Sequence, residues 1–305
     1  MKYDRHQALI ESDIPGLPAP RRGKVRDIYD TGEALILVAT DRLSAFDCVM
    51  PNGIPDKGRV LTALSRFWFE LLDWMPNHLI TTDVQQFPAP ARACAADLKG
   101  RAMLVRKASA LPVECVARGY LVGSGWREYQ QSGSVCGLDL RPGYRQAEML
   151  DTPLFTPAYK AEQGEHDENI NFGRVVELTD AETAAALRDS TLRLYSDARD
   201  YAADRGIIIA DTKFEFGRVG DGPLMVIDEM LTPDSSRFWP AADYRTGANP
   251  PSLDKQYVRD YLEEIGFNKQ PPAPELPGDV VQRTRDKYLE ALRTLTGRDL
   301  GDWCE

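Results

Sequence analysis

The run Gly206-Ile207-Ile208-Ile209-Ala210-Asp211-Thr212-Lys213-Phe214-Glu215-Phe216-Gly217 is the most informative part of the chain for chemistry. Its first half is β-branched and uncharged. Its second half alternates, so a strand here puts Asp211, Lys213 and Glu215 on one face and Thr212, Phe214 and Phe216 on the other. A second strand over 223–230, after a turn region at 217–222, ends in Asp228-Glu229. The two predict an antiparallel hairpin that gathers carboxylates around one small volume. Its register stays open, because a one-residue slip exchanges Asp228 for Glu229 on the working face. Clustered carboxylates repel unless a cation sits among them, and hard oxygen donors without nearby cysteine or histidine suit Mg²⁺ rather than zinc. Glu215 and Asp228 would fill that role, and Lys213 between them could neutralise a phosphate or a reacting carboxylate. An alternating hairpin with one solvated charged face has the same spacing, and the spacing alone leaves the two readings even.

The segment that follows, Leu231-Thr232-Pro233-Asp234-Ser235-Ser236-Arg237-Phe238-Trp239, moves the balance. In isolation it reads as an Asp-Ser turn; directly after an acidic strand it is suited to hold an anion beside a metal. Upstream, Arg118-Gly119-Tyr120-Leu121-Val122-Gly123-Ser124-Gly125 offers an arginine, a hydroxyl and flexible amides, although a flexible turn has the same composition. Neither Walker spacing nor a complete dinucleotide fingerprint occurs. Gly23-Lys24-Val25-Arg26 reads either as a basic surface turn or as a turn covering nucleotide phosphates. Of the three histidines, His6 and His78 read as incidental. His166 lies in a charged loop, 160–169, that reads as solvated or as a substrate-binding loop. No G-x-S-x-G occurs, which leaves a serine hydrolase without support.

These residues need a scaffold, and 305 residues suffice for a large core and two lobes. Residues 34–39, 102–107 and 113–117 read as strands, the last two joined by a short turn through Pro112. Residues 60–75 carry apolar side chains at helical spacing until Pro76 stops the pattern. The stretch 119–157 reads as binding loops. Thr179 and Glu182 have capping-box spacing and open a long helix that stops at Gly206. Two more helices, about 252–265 and 279–295, flank a proline-rich link at 270–277. The coarse class is α+β.

With 37 Lys+Arg against 47 Asp+Glu, the net charge of −10 argues against a nonspecific nucleic-acid binder. It leaves anionic small ligands open, since beyond about 8 Å of salt water only local charges count. Five scattered cysteines without a C-x-x-C fit a reducing compartment. Neither a signal-peptide core nor an apolar run of about 20 residues is evident. The expectation is a soluble, cytoplasmic protein without a membrane partner.

Five ordered motifs resemble one family: Gly23-Lys24-Val25-Arg26-Asp27-Ile28-Tyr29, Ser44-Ala45-Phe46-Asp47, Pro112-Val113-Glu114-Cys115-Val116-Ala117-Arg118-Gly119, Asp211-Thr212-Lys213-Phe214-Glu215-Phe216-Gly217, and Asp228-Glu229 through Asp234-Ser235-Ser236-Arg237. Together they closely resemble the SAICAR synthetase (phosphoribosylaminoimidazole-succinocarboxamide synthase) family of purine biosynthesis, over about residues 23–239. The resemblance implies a ligase joining the carboxylate of carboxyaminoimidazole ribonucleotide (CAIR) to the amine of L-aspartate, with ATP becoming ADP and phosphate and Mg²⁺ as cofactor. It implies a two-lobed α+β fold. An N-terminal antiparallel-sheet lobe, 1–117, would be distantly similar to kinase and ATP-grasp nucleotide lobes; a larger substrate- and Mg-binding lobe would span 118–305. The chain would act as a monomer or small homo-oligomer.

Carried over by position, Lys24 and Arg26 would meet ATP phosphates, and the strands around Lys107 and Glu114 would hold adenine. Arg118, Ser124 and Arg237 would grip the ribotide phosphate, with Ser44, Asp234 and Ser235 as further substrate contacts. Glu215 and Asp228 would hold Mg²⁺, and Asp211 and Lys213 would line the reacting centre. Lys160, His166 and Asp167 would belong to a substrate loop.

Overall fold

The computed structural model describes residues 1–160 and 168–304. Two antiparallel sheets organise the chain. The first has five strands in the order Arg21–Arg22, Arg26–Asp30, Ala34–Ala39, Ala102–Arg106, Leu79–Thr81. Ala34–Ala39 lies at its centre, as expected of an apolar run, with Ile36 and Val38 buried. The helix Lys57–Leu71 buries Val60, Leu61, Leu64 and Trp68 at helical spacing. It lies over this sheet and meets the closing helix Gly278–Thr296.

The second sheet has seven strands built around Ser109–Tyr120 and Ile207–Arg218. The helix Ala181–Ala203 packs on its back through Leu187, Leu194, Tyr195, Ala198 and Ala202. Phe214 and Phe216 point into the same core, which leaves the opposite face of the central strands to Lys213 and Glu215.

Several expectations change in detail. Pro112 makes no turn: it lies inside the strand Ser109–Tyr120, where the register against Ile207–Arg218 shifts between Ala110 and Glu114. A bulge accommodates a residue that has no N–H to donate. Strands Ala102–Arg106 and Ser109–Tyr120 belong to different sheets, so the chain changes sheet at residues 107–108. The expected boundary at 117/118 falls within the second of those strands.

The long helix is capped by Asp180, whose carboxylate accepts from the Thr183 N–H, one residue later than expected. The Thr179 hydroxyl instead donates to the Val175 carbonyl and closes the preceding helix, Phe172–Leu178. The stretch 119–157 is not all loop, because Gly123–Ser132 forms a helix. The last two helices are Gln256–Glu264 and Gly278–Thr296. Among the described residues no helix is long and apolar enough to cross a membrane.

Candidate functional site

A cavity of about 1110 Å³ is walled on one side by Arg26 of the first sheet, Lys24 in the turn before it and Ser44 of a small separate hairpin, and on the other by Glu114, Lys213 and Glu215 of the second sheet. The pairing of the central strands builds its floor. Arg118 stands opposite Asp211, and Glu114 stands opposite Glu215. Like charges directly across a ladder destabilise it, and here lysines separate them. Lys213 Nζ is 2.6 Å from Glu114, and Lys160 Nζ is 2.5 Å from Glu215.

The hairpin is present, with Ile207–Arg218 antiparallel to Met225–Ile227. The strand ends early because Asp228 has a left-handed backbone, φ 67°. That turn removes the choice between Asp228 and Glu229, since both carboxylates reach the same arginine. Arg26 Nη1 is 2.5 Å from Asp228, and Nη2 is 2.8 Å from Glu229. Burial alone would weaken the Arg26 charge, but the two carboxylates outweigh it and hold the guanidinium firmly protonated. His78, read as incidental, is buried behind this turn with Nε2 3.2 Å from the Asp228 carbonyl oxygen. Burial pushes its ring down to about 4, so it stays neutral.

Arg118 and Asp211 lie one layer behind the wall. Arg118 donates to Thr156, to Asp211 and to Ser124, at 2.9, 2.8 and 2.9 Å. Burial lowers its proton affinity and Asp211 opposes that. Asp211 also pairs with Arg237, which does reach the cavity along with Ser124. Arg118 therefore acts on the cavity through Ser124 and Asp211, and Asp211 serves to hold two arginines in place.

The glycines here are needed for close approach. A Cβ on Gly123, whose φ is +60°, would stand 2.5 Å from Arg237 Nη2, and one on Gly125 would stand 3.2 Å from Arg118 Cδ. The sequence Gly-Ser-Gly thereby lets the N-terminus of helix Gly123–Ser132 sit against both arginines, and its free amides suit an anion.

Asp234 lies on the wall with Ser235. Its carboxylate accepts from Lys57 Nζ at 2.6 Å and from the Tyr288 hydroxyl at 2.8 Å. Burial would push Asp234 up, but Lys57 and Lys255 outweigh it and hold the group below the usual carboxylate range. Lys24 pairs with Asp47 at 2.5 Å, in the hairpin turn Phe46-Asp47 where both residues have positive φ. Lys107 is exposed, pairs with Asp30 at 2.6 Å and does not line the cavity. His166 and Asp167 lie outside the described residues.

The C-terminal part, which carries no recognised motif, also contributes to the cavity. Lys255 and Arg259, at the start of helix Gln256–Glu264, face the cavity. Burial, with Arg259 and Lys213 adding to it against Asp234, pushes the Lys255 ammonium down to about 8. Val258 and Leu262 are buried on that helix, so Arg259 stands on its polar side, a signal visible in the spacing. A chain of net charge −10 thus lines one cavity with Lys213, Arg237, Lys255 and Arg259.

For Mg²⁺ the donor chemistry fits. Glu215 and Asp228 line the same cavity as Lys213, Arg237, Lys255 and Arg259, and Mg²⁺ bound with phosphate needs only one or two protein carboxylates. No group of three metal-ligating side chains occurs among the described residues.

The whole chain has close relatives. The SAICAR synthetase family model matches residues 20–274. The phosphoribosylaminoimidazole-succinocarboxamide synthase of Geobacter metallireducens is 55% identical over 291 residues, covering 95% of this chain and 98% of that one. The structure of SAICAR synthase from Saccharomyces cerevisiae complexed with SAICAR superposes with a TM-score of 0.87 at 41% identity, covering 95% of this chain and 99% of that one. A SAICAR synthetase in complex with ADP, 24% identical with a TM-score of 0.66, shares the fold over 92% of this chain and 98% of its own. The ordered motifs, the two-sheet scaffold with its cavity and the full-length identity agree, and the chain belongs to the SAICAR synthetase family.

Proposed function

We propose that this chain is the ATP-dependent ligase of purine biosynthesis that joins the carboxylate of CAIR to the amine of L-aspartate, giving SAICAR, ADP and phosphate. The observation that carries the reading is one cavity that gathers cationic and hydroxyl side chains from both parts of the fold: Lys24 and Arg26 at the first sheet, and Lys213, Ser124 and Arg237 on and beside the second. A reaction between two anions, a triphosphate and a carboxylate, needs such a place.

The chemistry explains the need. A carboxylate resists an amine because its leaving group would be oxide. Transfer of the γ-phosphoryl group to the CAIR carboxylate releases ADP and gives an acyl phosphate. The aspartate amine then forms the C–N bond as the C–O bond to phosphate breaks, and phosphate and the amine proton leave. Lys24 and Arg26 would hold the nucleotide phosphates, and Ser124 with Arg237 the ribotide phosphate, supported from behind by Arg118 and Asp211. Lys213, fixed by Glu114, would stand where the two anions approach and lower their repulsion. Mg²⁺, held by Glu215 and Asp228, would supply further screening of the phosphate charge. Lys255 and Arg259 add positive charge for an acidic substrate.

Purified protein incubated with ATP, Mg²⁺, CAIR and L-aspartate tests the reading. Formation of SAICAR with equimolar ADP and phosphate is expected. Stable phosphorylated CAIR accumulating without aspartate, with no SAICAR when it is present, would replace the ligase by a small-molecule kinase.

A further inference from the structure

The closing helix Gly278–Thr296 is tied to the start of helix Lys57–Leu71 directly at Asp56 and, one turn on, through the shared carboxylate of Asp234. Arg285 reaches Asp56 through Nη2 at 2.6 Å and Nε at 3.0 Å. Three residues on, the Tyr288 hydroxyl donates to Asp234 Oδ1 at 2.8 Å while Lys57 Nζ donates to Asp234 Oδ2 at 2.6 Å. One carboxylate on the cavity wall is thus held by two donors, one to each oxygen, from helices more than 200 residues apart in sequence.

Lys57 is poorly placed for stability. It is fully buried, and it occupies the first position of its helix, where the backbone dipole already concentrates positive charge. Buried ion pairs of this kind are often replaceable by apolar side chains at no cost in stability. Tyr288 is also buried, with 1% exposure, and its hydroxyl is spent on the same carboxylate. Both expensive groups converge on Asp234 and leave each of its oxygens a second lone pair for a donor in the cavity.

We propose that Lys57 and Tyr288 are positioning residues that fix the ionised Asp234 carboxylate as the acceptor for hydroxyl or N–H groups of the ribotide. This rests on the ligase reading above. Asp234 lines the same cavity as Ser235 and Arg237, three residues on, the arginine that the ligase reading gives to the ribotide phosphate. The charged and titratable groups around Asp234 act together: Lys57 from one helix, Tyr288 from the closing helix, Lys255 ahead of the helix between them, and Arg26 across the cavity. The closing helix, which carries no recognisable sequence motif, gains a role: it sets the Asp234 acceptor from behind.

Tyr288→Phe tests this with minimal disturbance, because it removes one oxygen and keeps the ring. Misplacing Asp234 should cost up to the worth of its own hydrogen bond to the ribotide, at most about a 10- to 100-fold rise in the KM for CAIR. The KM for ATP should stay within about twofold, and the acid limb of kcat/KM for CAIR should move to higher pH as Asp234 becomes easier to protonate. In an Asp234→Asn background the same Tyr288→Phe change should add nothing. Lys57→Met, matched in length, should repeat both results. A CAIR KM unchanged by Tyr288→Phe across the pH range, or costs that simply add in the Asp234→Asn background, would overturn the positioning role. Absence of SAICAR formation by the unaltered protein would instead overturn the ligase reading.

Discussion

Replacing Arg26 by methionine puts the charge balance of the cavity to a quantitative test. The guanidinium side chain is 11% exposed and holds Asp228 and Glu229, which are 26% and 12% exposed. Methionine fills much of the same volume but leaves two neighbouring carboxylates without their shared cation. Removing one partner of a buried pair costs about 3–5 kcal/mol, and the partial exposure of Asp228 screens some of this, leaving about 2–4 kcal/mol. For a protein of this size the melting temperature should fall by about 3–6 °C. A divalent cation can take the place of the lost charge. Millimolar Mg²⁺ should therefore raise the melting temperature of Arg26→Met by several degrees more than that of the unaltered protein. Differential scanning fluorimetry with and without Mg²⁺, at fixed ionic strength with Na⁺ as the control, reads both numbers. A melting temperature unchanged by the substitution, or an equal Mg²⁺ response in both proteins, would refute the claim that Arg26 neutralises a carboxylate pair able to take a metal.

Other outcomes follow from the same geometry. Glu215→Gln should abolish detectable Mg-dependent turnover while the melting temperature stays within a few degrees, because its pair with the half-exposed Lys160 contributes at most about 1 kcal/mol; near-normal activity with a cooperative melt would remove Glu215 from the metal site. Arg118→Ala should cost about 2–4 kcal/mol in denaturant unfolding, since it leaves the buried Asp211 with Arg237 alone and takes the donor from Thr156, and should also weaken CAIR binding measured calorimetrically; unchanged CAIR affinity would break its link to the phosphate site. Lys255, depressed to about 8 in the folded protein, binds fewer protons than an unfolded lysine between that pH and about 10.4. Stability should therefore gain from this residue as pH rises through that window, and Lys255→Met should flatten the gain in melts taken from pH 7.5 to 10. CAIR binding at pH 8 should take up protons, seen as a heat that varies with buffer ionisation enthalpy, and Lys255→Met should reduce that variation.

The central ladder was legible because its chemistry and its periodicity coincide. Asp211, Lys213 and Glu215 alternate with Phe214 and Phe216, and a strand with one buried face can satisfy that pattern in only one way. The pairing of Glu114 across from Glu215 was not legible, because it depends on the bulge at Pro112 and on long-range register. Helix Gly123–Ser132 was hidden by its glycines, which lower helix propensity but are required by the side chains of Arg118 and Arg237. The turn at Asp228 brought both acidic residues to Arg26, which no strand alternation predicts. Lys57, His78, Lys255 and Tyr288 were missed for a common reason. Each sits in or beside an ordinary helix or loop pattern and meets the site only through tertiary packing.

The central claim is that one cavity brings nucleotide phosphates and the ribotide together across Arg26, Lys213, Glu215 and Asp228. A crystal structure with a non-hydrolysable ATP analogue, Mg²⁺ and CAIR tests it most directly. The account predicts the triphosphate against Lys24 and Arg26, a metal touching Glu215 and Asp228, and the CAIR carboxylate near Lys213 with its phosphate on Ser124 and Arg237. A triphosphate bound away from this cavity, with Glu215 and Asp228 free of metal, would contradict it.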